Sequence, residues 1–524
     1  MTRDRIVIIG AGIAGLASAA LLARDGADVV VLEASDVVGG RAGSWESEGF
    51  RFDTGPSWYL MPEVFDHFFR LFGSSAAEEL DLVELDPGYR VYSDGYDDAL
   101  DIRADRESNV ALFEAQEAGA GAALERYLDS SEEAYSLALE RFLYSDFSAP
   151  SAFLDASLLP RLPKLTRLLT NSLDAFAGDY VSDRRLRQVL GYPAVFLGTS
   201  PYKAPALYHL MSHLDLEQGV LYPRGGFTTI IAAIERIARA QGVRIETGAR
   251  VTRIRTERTS RRTRAAGVDY VQDGVAHRID ATRVVSAADL HHTETELVPA
   301  DRQTYPESWW QKRDPGPGAV LAMLGVRGEV AGLLHHSLFF TADWRGDFEK
   351  LFGDDPTVPE PTSFYACMPS ATDDSVAPAG DTNLFLLIPV PADTGIGSGG
   401  IDGAGSTEVE SIVDRAIARL ADVAGDPDLA DRIVTRRTVG PADFESDLNS
   451  WRGGALGPAH TLRQSAFFRG RNSSKVIEGL HYAGGTTIPG IGLPMCLISA
   501  EILAKGIRGD RSTSPLPEPV RSEA

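Results

Sequence analysis

The sequence predicts an α/β protein, α+β over its whole length, and three observations carry that reading. A short apolar strand at residues 5–10 runs straight into a glycine-rich turn and a helix. A second apolar strand follows at once and ends on the acidic Glu33. Beyond this opening unit, blocks of helical periodicity alternate with blocks of strand-like alternation. With 524 residues, 44% of them hydrophobic and 24% charged, the chain is long enough for two or more domain-sized cores.

The elements follow in order. RIVIIG at 5–10 is an uninterrupted apolar run bounded by glycine, as in a parallel strand buried on both faces. From Ile13 to Arg24, Ala14, Leu16, Ala17, Ala20 and Leu21 recur at helical spacing until Asp25-Gly26 stops the helix, and ADVVVLE supplies the next strand. Between strand and helix stands Gly10-Ala11-Gly12-Ile13-Ala14-Gly15, a GxGxxG motif in the context that gives it meaning. Gly10 permits the tight turn, Gly12 lets backbone N–H groups approach a pyrophosphate at the helix N-terminus, and Gly15 lets helix and strand pack closely. The Glu33 carboxylate is then placed for a ribose diol. This is a Rossmann-type dinucleotide-binding unit. NAD and FAD both use it, and the segment after Glu33 discriminates: Gly39, Gly40 and Arg41 add a second close backbone approach and a permanent cation for the pyrophosphate, which points to FAD.

Residues 56 to about 215 are mostly helical in pattern, broken at Pro87-Gly88, Pro150 and Pro160. QGVLYPRGG, the helix TTIIAAIERIARAQG and a run of alternating strands follow, with a hairpin turn expected at Asp273-Gly274. Residues 305–440 mix strand and loop, with a Gly/Ser-rich loop at 395–406, and residues 476–507 give a strand, a glycine-rich turn and a last helix. The Pro- and Ser-rich residues 509–524 read as a disordered tail.

Composition narrows the function classes. A net charge of −23, from 51 Lys and Arg against 74 Asp and Glu, argues against a nucleic-acid partner. Cys367 and Cys496 lack a CxxC neighbour or a histidine at ligand spacing, so neither a disulfide framework nor a metal is expected. The first strand begins too early for a signal peptide, and no uncharged run reaches the length of a membrane span. A cytoplasmic protein, at most peripherally membrane-associated, is the expectation.

The motifs GAGIAGL, Glu33, GGRAGSW, FDTGPSW, GVLYPRGGFTTII at 219–231, the stretch 443–472 and the closing HYAGGTTIPGIGLPMCLISAE resemble, nearly end to end, bacterial carotenoid desaturases of the phytoene desaturase type within the flavin amine-oxidase superfamily. The resemblance implies a discontinuous FAD domain at 1–90, 217–290 and 440–508, carrying a mixed sheet and helical substrate domain at 91–216 and 291–439. It extends the cofactor site to Ala34, Gly55, Pro56 and Ser57, to Val251 on a strand facing the adenine, and to Gly484, Gly485, Leu493 and Pro494 at the ribityl and isoalloxazine end, where a helix N-terminus can stabilise negative charge on reduced flavin. FAD is expected to be non-covalent. Cys496 reads as a small buried hydrophobe.

The implied reaction is stepwise desaturation of a long isoprenoid, phytoene toward lycopene, with hydride transfer to flavin and reoxidation by oxygen or quinone. A later carotenoid as substrate, a carotenoid isomerase and an amine oxidase on the same scaffold are the alternatives. Asp53 and Arg224 are the catalytic candidates; Asp53 competes with a turn-capping role, and Arg224 with a loop salt bridge. His209 and His213 fall one turn apart on a helix, without a third ligand nearby. In residues 156–173, Arg161, Lys164 and Arg167 stand among leucines with no acidic residue through Ser172, the composition of an interfacial helix or lid, or of an internal amphipathic helix.

Overall fold

A computed structural model gives the fold of residues 4–148, 161–259 and 262–519. Its first layer is a five-stranded, wholly parallel sheet in the order Leu480–Tyr482, Arg283–Ser286, Arg5–Ile9, Asp28–Leu32, Arg244–Glu246. The central strand is apolar because it is buried on both faces: Ile6, Val7 and Ile8 are at most 1% exposed. Helix Ile13–Arg24 packs between helices Thr228–Ala240 and Leu493–Arg508. Being covered on nearly every side, it is built mostly from alanine and leucine. Gly26, at φ +94°, turns the chain out of that helix as expected.

Behind this sheet, Ala249–Arg258, Thr263–Gln272 and Val275–Asp280 form an antiparallel meander. Its hairpin turns at Asp273-Gly274, both with positive φ (51° and 75°), the two-residue geometry this dipeptide favours.

The second body is a seven-stranded sheet ordered Ile433–Val439, Pro317–Val326, Thr382–Pro391, Phe364–Cys367, His336–Phe340, Tyr89–Ser93, Leu100–Ile102. Pro317–Val326 is buried at every position. One of its faces packs against helix Thr407–Ala424, and the other meets the helical region that includes Ala120–Arg141 and Arg184–Gly191. A strand covered on both sides reads as a continuous apolar run.

Two sequence expectations need correction. Residues 56–215 also contain three strands, Leu82–Leu85, Tyr89–Ser93 and Leu100–Ile102, and a domain boundary at residue 90 cuts through the second. These strands are short; Leu82–Leu85 and Tyr89–Ser93 find their partners far away in sequence, at Val220–Pro223 and His336–Phe340, and Leu100–Ile102 pairs back onto Tyr89–Ser93. The Pro/Ser-rich tail is anchored through residue 519. Leu516 is buried, and its N–H bonds the buried Glu501 carboxylate. The Lys505 ammonium, also buried, donates to the Ser512 and Ser514 carbonyls at 2.8 and 2.6 Å. Two buried charges on the last helix need polar partners, and the tail supplies them.

Candidate functional site

Each glycine of the GxGxxG turn meets a different steric demand. Gly10 adopts φ +94°, and its N–H donates to Leu32 O at 2.8 Å. A Cβ on Gly15 would stand 2.0 Å from Gly10 O, so only glycine lets the helix lie on the strand. A Cβ on Gly12 would meet nothing nearer than Gly39 O at 3.9 Å. The protein itself leaves Gly12 open, a cradle beside the first N–H groups of helix Ile13–Arg24. The Gly39-Gly40-Arg41 loop lies against this turn: Gly39 N–H donates to Ala11 O at 3.0 Å, and Gly39 and Gly12 pair as a bridge. The loop at Gly55 approaches in turn, with room for no Cβ, which would sit 2.3 Å from Arg41 O.

Glu33 accepts from Ala11 N–H at 2.6 Å and from Ser35 N–H at 2.9 Å, which fixes its carboxylate at the strand end. The Arg41 guanidinium donates to two uncharged oxygens, Ala455 O (2.9 Å) and Ser450 Oγ (2.5 Å). Desolvation lowers its pKa, with the nearby Asp289 carboxylate opposing. A desolvated cation bonded to neutral oxygens beside an open glycine cradle suits an anionic diphosphate.

These groups open into one cavity of about 1340 Å³, larger than the usual single-ligand site. Gly10, Gly12, Ala14, Glu33, Ala34, Gly40, Arg41, Gly55, Pro56, Ser57, Val251, Gly484, Gly485, Leu493 and Pro494 all line it; Gly15 lies behind, packed on Gly10. At Val251 the antiparallel ladder breaks register before Arg253, a bulge of the kind that frees a backbone group to meet a ligand. Helix Leu493–Arg508 points its N-terminus into the cavity, so two helix starts serve one space. Cys496 lies in that first turn, and burial pushes its thiol up to about 11.

Away from the glycine turn the lining becomes aromatic. Trp58, Tyr192, Phe340, Trp344, Phe348 and Phe352 form a ladder with successive ring centroids 6.2, 6.2, 5.3, 5.0 and 6.1 Å apart. The opposite rim reaches the surface at Leu169, Leu462, Phe467 and Phe468, which are 40%, 47%, 46% and 58% exposed.

The two catalytic candidates are not part of this lining. Both Asp53 oxygens accept from Phe227 N–H at 3.0 Å, capping helix Thr228–Ala240, and burial pushes the carboxyl up to about 7. Arg224 is exposed; it donates to Thr372 O at 3.0 Å and lies 3.7 Å from Asp81. Thr54 and Gly55, next to Asp53, line the cavity while the Asp53 carboxylate turns to Phe227; Arg224 and its neighbours lie away from the lining altogether. His209 and His213 also diverge. His209 bonds Ser130 Oγ and Ala206 O, with burial lowering it to about 4, whereas His213 bonds Glu217 at 2.6 Å.

Sequence reasoning missed two buried residues that hold the last loop. Arg469 donates to Thr487 O at 3.0 Å, Pro458 O at 3.1 Å and Gly485 O at 2.5 Å. His460 bonds Tyr208 Oη at 2.9 Å and accepts Ile491 N–H at 3.2 Å; burial keeps its imidazole neutral. Their only signal was a position inside the stretch 443–472.

The basic leucine segment is partly visible, residues 149–160 lying outside the described residues. In helix Leu162–Thr170, Leu165 and Leu169 face the cavity. Lys164 is paired with Glu133 at 2.5 Å and Arg167 with Asp179 at 2.7 Å, so tertiary carboxylates occupy cations that looked unpaired in sequence.

The model of flavin-containing amine oxidoreductases matches residues 13–507. The chain belongs to this family. Over 97% of its length it is 40% identical to 99% of carotenoid 3,4-desaturase from Haloarcula japonica. It is 32% identical to the zeta-carotene-forming phytoene desaturase of Myxococcus xanthus, covering 96% of this chain and 93% of that one. Among solved structures, wild-type putrescine oxidase bound to putrescine superimposes with a TM-score of 0.59 at 15% identity, over 97% of this chain and 99% of that one. An oxidoreductase from Methanosarcina mazei gives 0.57 at 17% identity, over 95% and 98%. At such identities the solved structures speak for the fold alone. This flavin-containing oxidoreductase thus shares a fold with amine oxidases and much more of its sequence with carotenoid desaturases. No described helix is long and apolar enough to cross a membrane.

Proposed function

We propose that the protein is an FAD-dependent carotenoid desaturase that takes an acyclic, already partly conjugated C40 polyene. The observation that carries this reading is the continuity of the cavity from the glycine cradle to the aromatic ladder. A polyene offers no hydrogen-bonding groups, so its binding free energy comes from apolar burial, at about 25 cal/mol per Å². The ladder supplies flat apolar faces at regular spacing along an extended chain.

In this reading the Gly12 cradle, Arg41 and Glu33 bind the ADP half of FAD without a covalent bond, and the N-terminus of helix Leu493–Arg508 stands at the isoalloxazine end. Bound FAD supplies the hydride acceptor. A hydride would pass to that acceptor from one carbon while the neighbouring carbon loses a proton to solvent, leaving a new C=C bond, with reoxidation by oxygen or a quinone. Arg469 and His460 hold the 484–491 loop in place through their hydrogen bonds.

The higher identity to the 3,4-desaturase than to the phytoene desaturase favours desaturation at the 3,4 position of a carotenoid over desaturation of phytoene. Conversion of phytoene toward lycopene is the second reading, supported by the full-length match to the latter. The exposed rim of Leu169, Leu462, Phe467 and Phe468 supports peripheral contact with the lipid phase that holds such substrates.

The test is reconstitution with FAD and liposomes containing either phytoene or an acyclic conjugated carotenoid, under air or with a quinone. Loss of two hydrogens from the conjugated substrate, with a red-shifted spectrum, is the expected result. Turnover of phytoene alone would select the second reading, and a mass-neutral isomerisation or oxidation of amines alone would overturn both.

A further inference from the structure

We infer that His335, His336 and Cys367 form a buried binding site for a thiophilic d¹⁰ metal ion, Zn²⁺ or Cu⁺, behind the aromatic wall of the cavity. Spacing in sequence gave no hint of it and no metal was expected, because the ligands come from opposite strands. His336 opens strand His336–Phe340 and Cys367 ends strand Phe364–Cys367, where the antiparallel register sets them directly opposite each other. His335 precedes the first strand, with its ring 4.6 Å from that of His336. One nitrogen from each imidazole and the thiol sulfur lie within 4.8 Å of one another, and all three residues are at most 4% exposed.

A second observation points to a ligand. Nε2 of His335 and Nε2 of His336 are both buried without a hydrogen-bond partner. Two orphaned imidazole nitrogens side by side are unusual in a folded interior, where buried polar atoms are almost always satisfied. Their other nitrogens are held: His335 Nδ1 by Thr372 Oγ1 at 2.9 Å, and His336 Nδ1 by Tyr365 Oη at 2.7 Å. This is the outer support that orients metal-binding imidazoles.

The charge balance is workable. Entry of the ion displaces the Cys367 thiol proton, so one metal–sulfur bond forms and one proton leaves. With the thiolate bound, Cu⁺ leaves no net charge at the site and Zn²⁺ leaves one positive charge. Two nitrogens and a thiolate suit Cu⁺ in three-coordination, or Zn²⁺ with one further donor such as water. The site braces the wall facing the substrate: Trp58 stacks on His336 at 4.5 Å and 13°, and Tyr365 donates to Ser57 Oγ at 2.8 Å.

The test uses the full-length, flavin-loaded protein. Metal content per flavin is measured by mass spectrometry as purified, and the chelator-stripped protein is titrated with Zn²⁺ or Cu⁺ against a chromophoric competitor. One equivalent of one of these ions, releasing one proton on binding, is expected, and which of the two is retained identifies the metal. Cys367→Ser should bind at least 100-fold more weakly while Cys496→Ser binds like the parent. A Co²⁺-loaded sample should have a sulfur-to-metal charge-transfer band, giving a readout in the unmutated protein if Cys367→Ser fails to fold. No bound ion, binding unchanged in a folded Cys367→Ser, or bound Co²⁺ without a sulfur band overturns the proposal and leaves a water-filled polar pocket.

Discussion

The glycine turn offers a test in which the protein and its cofactor respond in opposite ways. At Gly12 the backbone is at φ −69° and ψ 174°, open to any L-residue, and a Cβ would meet nothing closer than 3.9 Å. Gly12→Ala should therefore leave the apoprotein as stable as the parent, or more stable by about 0.4–1 kcal/mol, since alanine restricts the unfolded chain. If a pyrophosphate is cradled there, the same methyl occupies the approach of the phosphate oxygens to the backbone N–H groups. Loss of two charge-assisted hydrogen bonds, at about 1.5–3 kcal/mol each, predicts FAD affinity reduced by roughly 10²- to 10⁴-fold. At Gly15 a Cβ would stand 2.0 Å from Gly10 O and 3.3 Å from Ala287 Cβ, so Gly15→Ala must push helix Ile13–Arg24 off the sheet. That variant should lose both stability and flavin. The assay pairs flavin-to-protein absorbance after gel filtration with thermal unfolding of the stripped proteins. A Gly12→Ala protein that keeps FAD at the parent's affinity would refute the placement of the pyrophosphate, whatever happens at Gly15.

Other consequences are as specific. Asp215 accepts from Tyr89 and Tyr192 in a fully buried setting that pushes its carboxyl up to about 7. A folded pKa above the unfolded one makes its contribution to stability complete below about pH 4 and lost as pH rises through 7, by up to roughly 4 kcal/mol. Denaturant unfolding at pH 5 and pH 8 should find Asp215→Asn less pH-sensitive than the parent, with Asp53 leaving a residual slope of the same sign; an unchanged slope would count against a protonated Asp215. Arg469→Met leaves several buried carbonyls without a donor, at about 1–3 kcal/mol each, and should lower the unfolding midpoint and release flavin. Replacing Phe467 and Phe468 with serine removes about 1 kcal/mol of interfacial burial apiece, so vesicle sedimentation should report roughly 30-fold weaker partitioning. Flavin content should be unchanged, and unchanged partitioning would rule out the rim as a lipid contact. Truncation after residue 510 strips Lys505 and Glu501 of tail partners and should destabilise the protein, whereas a disordered tail would be silent on deletion.

What the sequence made legible was local. The turn from Gly10 to Gly15, the carboxylate at Glu33 and the hairpin at Asp273-Gly274 each follow from residues within a few positions of one another, where backbone sterics alone select glycine or an acid. Asp53 and Arg224 lie outside the cavity lining, a placement that position in sequence does not reveal, since it does not say which way a side chain leaves the backbone. Asp53 ends strand Phe50–Asp53, and its carboxylate turns to an unpaired N–H at the start of helix Thr228–Ala240. The tail misled for a related reason: its composition is that of a disordered segment, but a buried lysine and a buried glutamate on another element required its backbone.

The least legible features are those that join distant parts of the chain. The aromatic ladder joins Trp58 and Tyr192 to the 340–352 stretch, far away in sequence, and the His335, His336 and Cys367 group exists only because two strands pair in one register. A one-residue slip of that pair would send Cys367 to the opposite face and dismantle the group. The same pair carries the ring against which Trp58 is stacked, so whatever fixes the register also fixes the substrate wall. Cofactor chemistry in this protein is therefore written in short motifs, whereas the shape of the cavity wall depends on the register in which separate strands pair. Substrate preference within the family should accordingly respond to substitutions in strands His336–Phe340 and Phe364–Cys367 that leave every flavin motif intact.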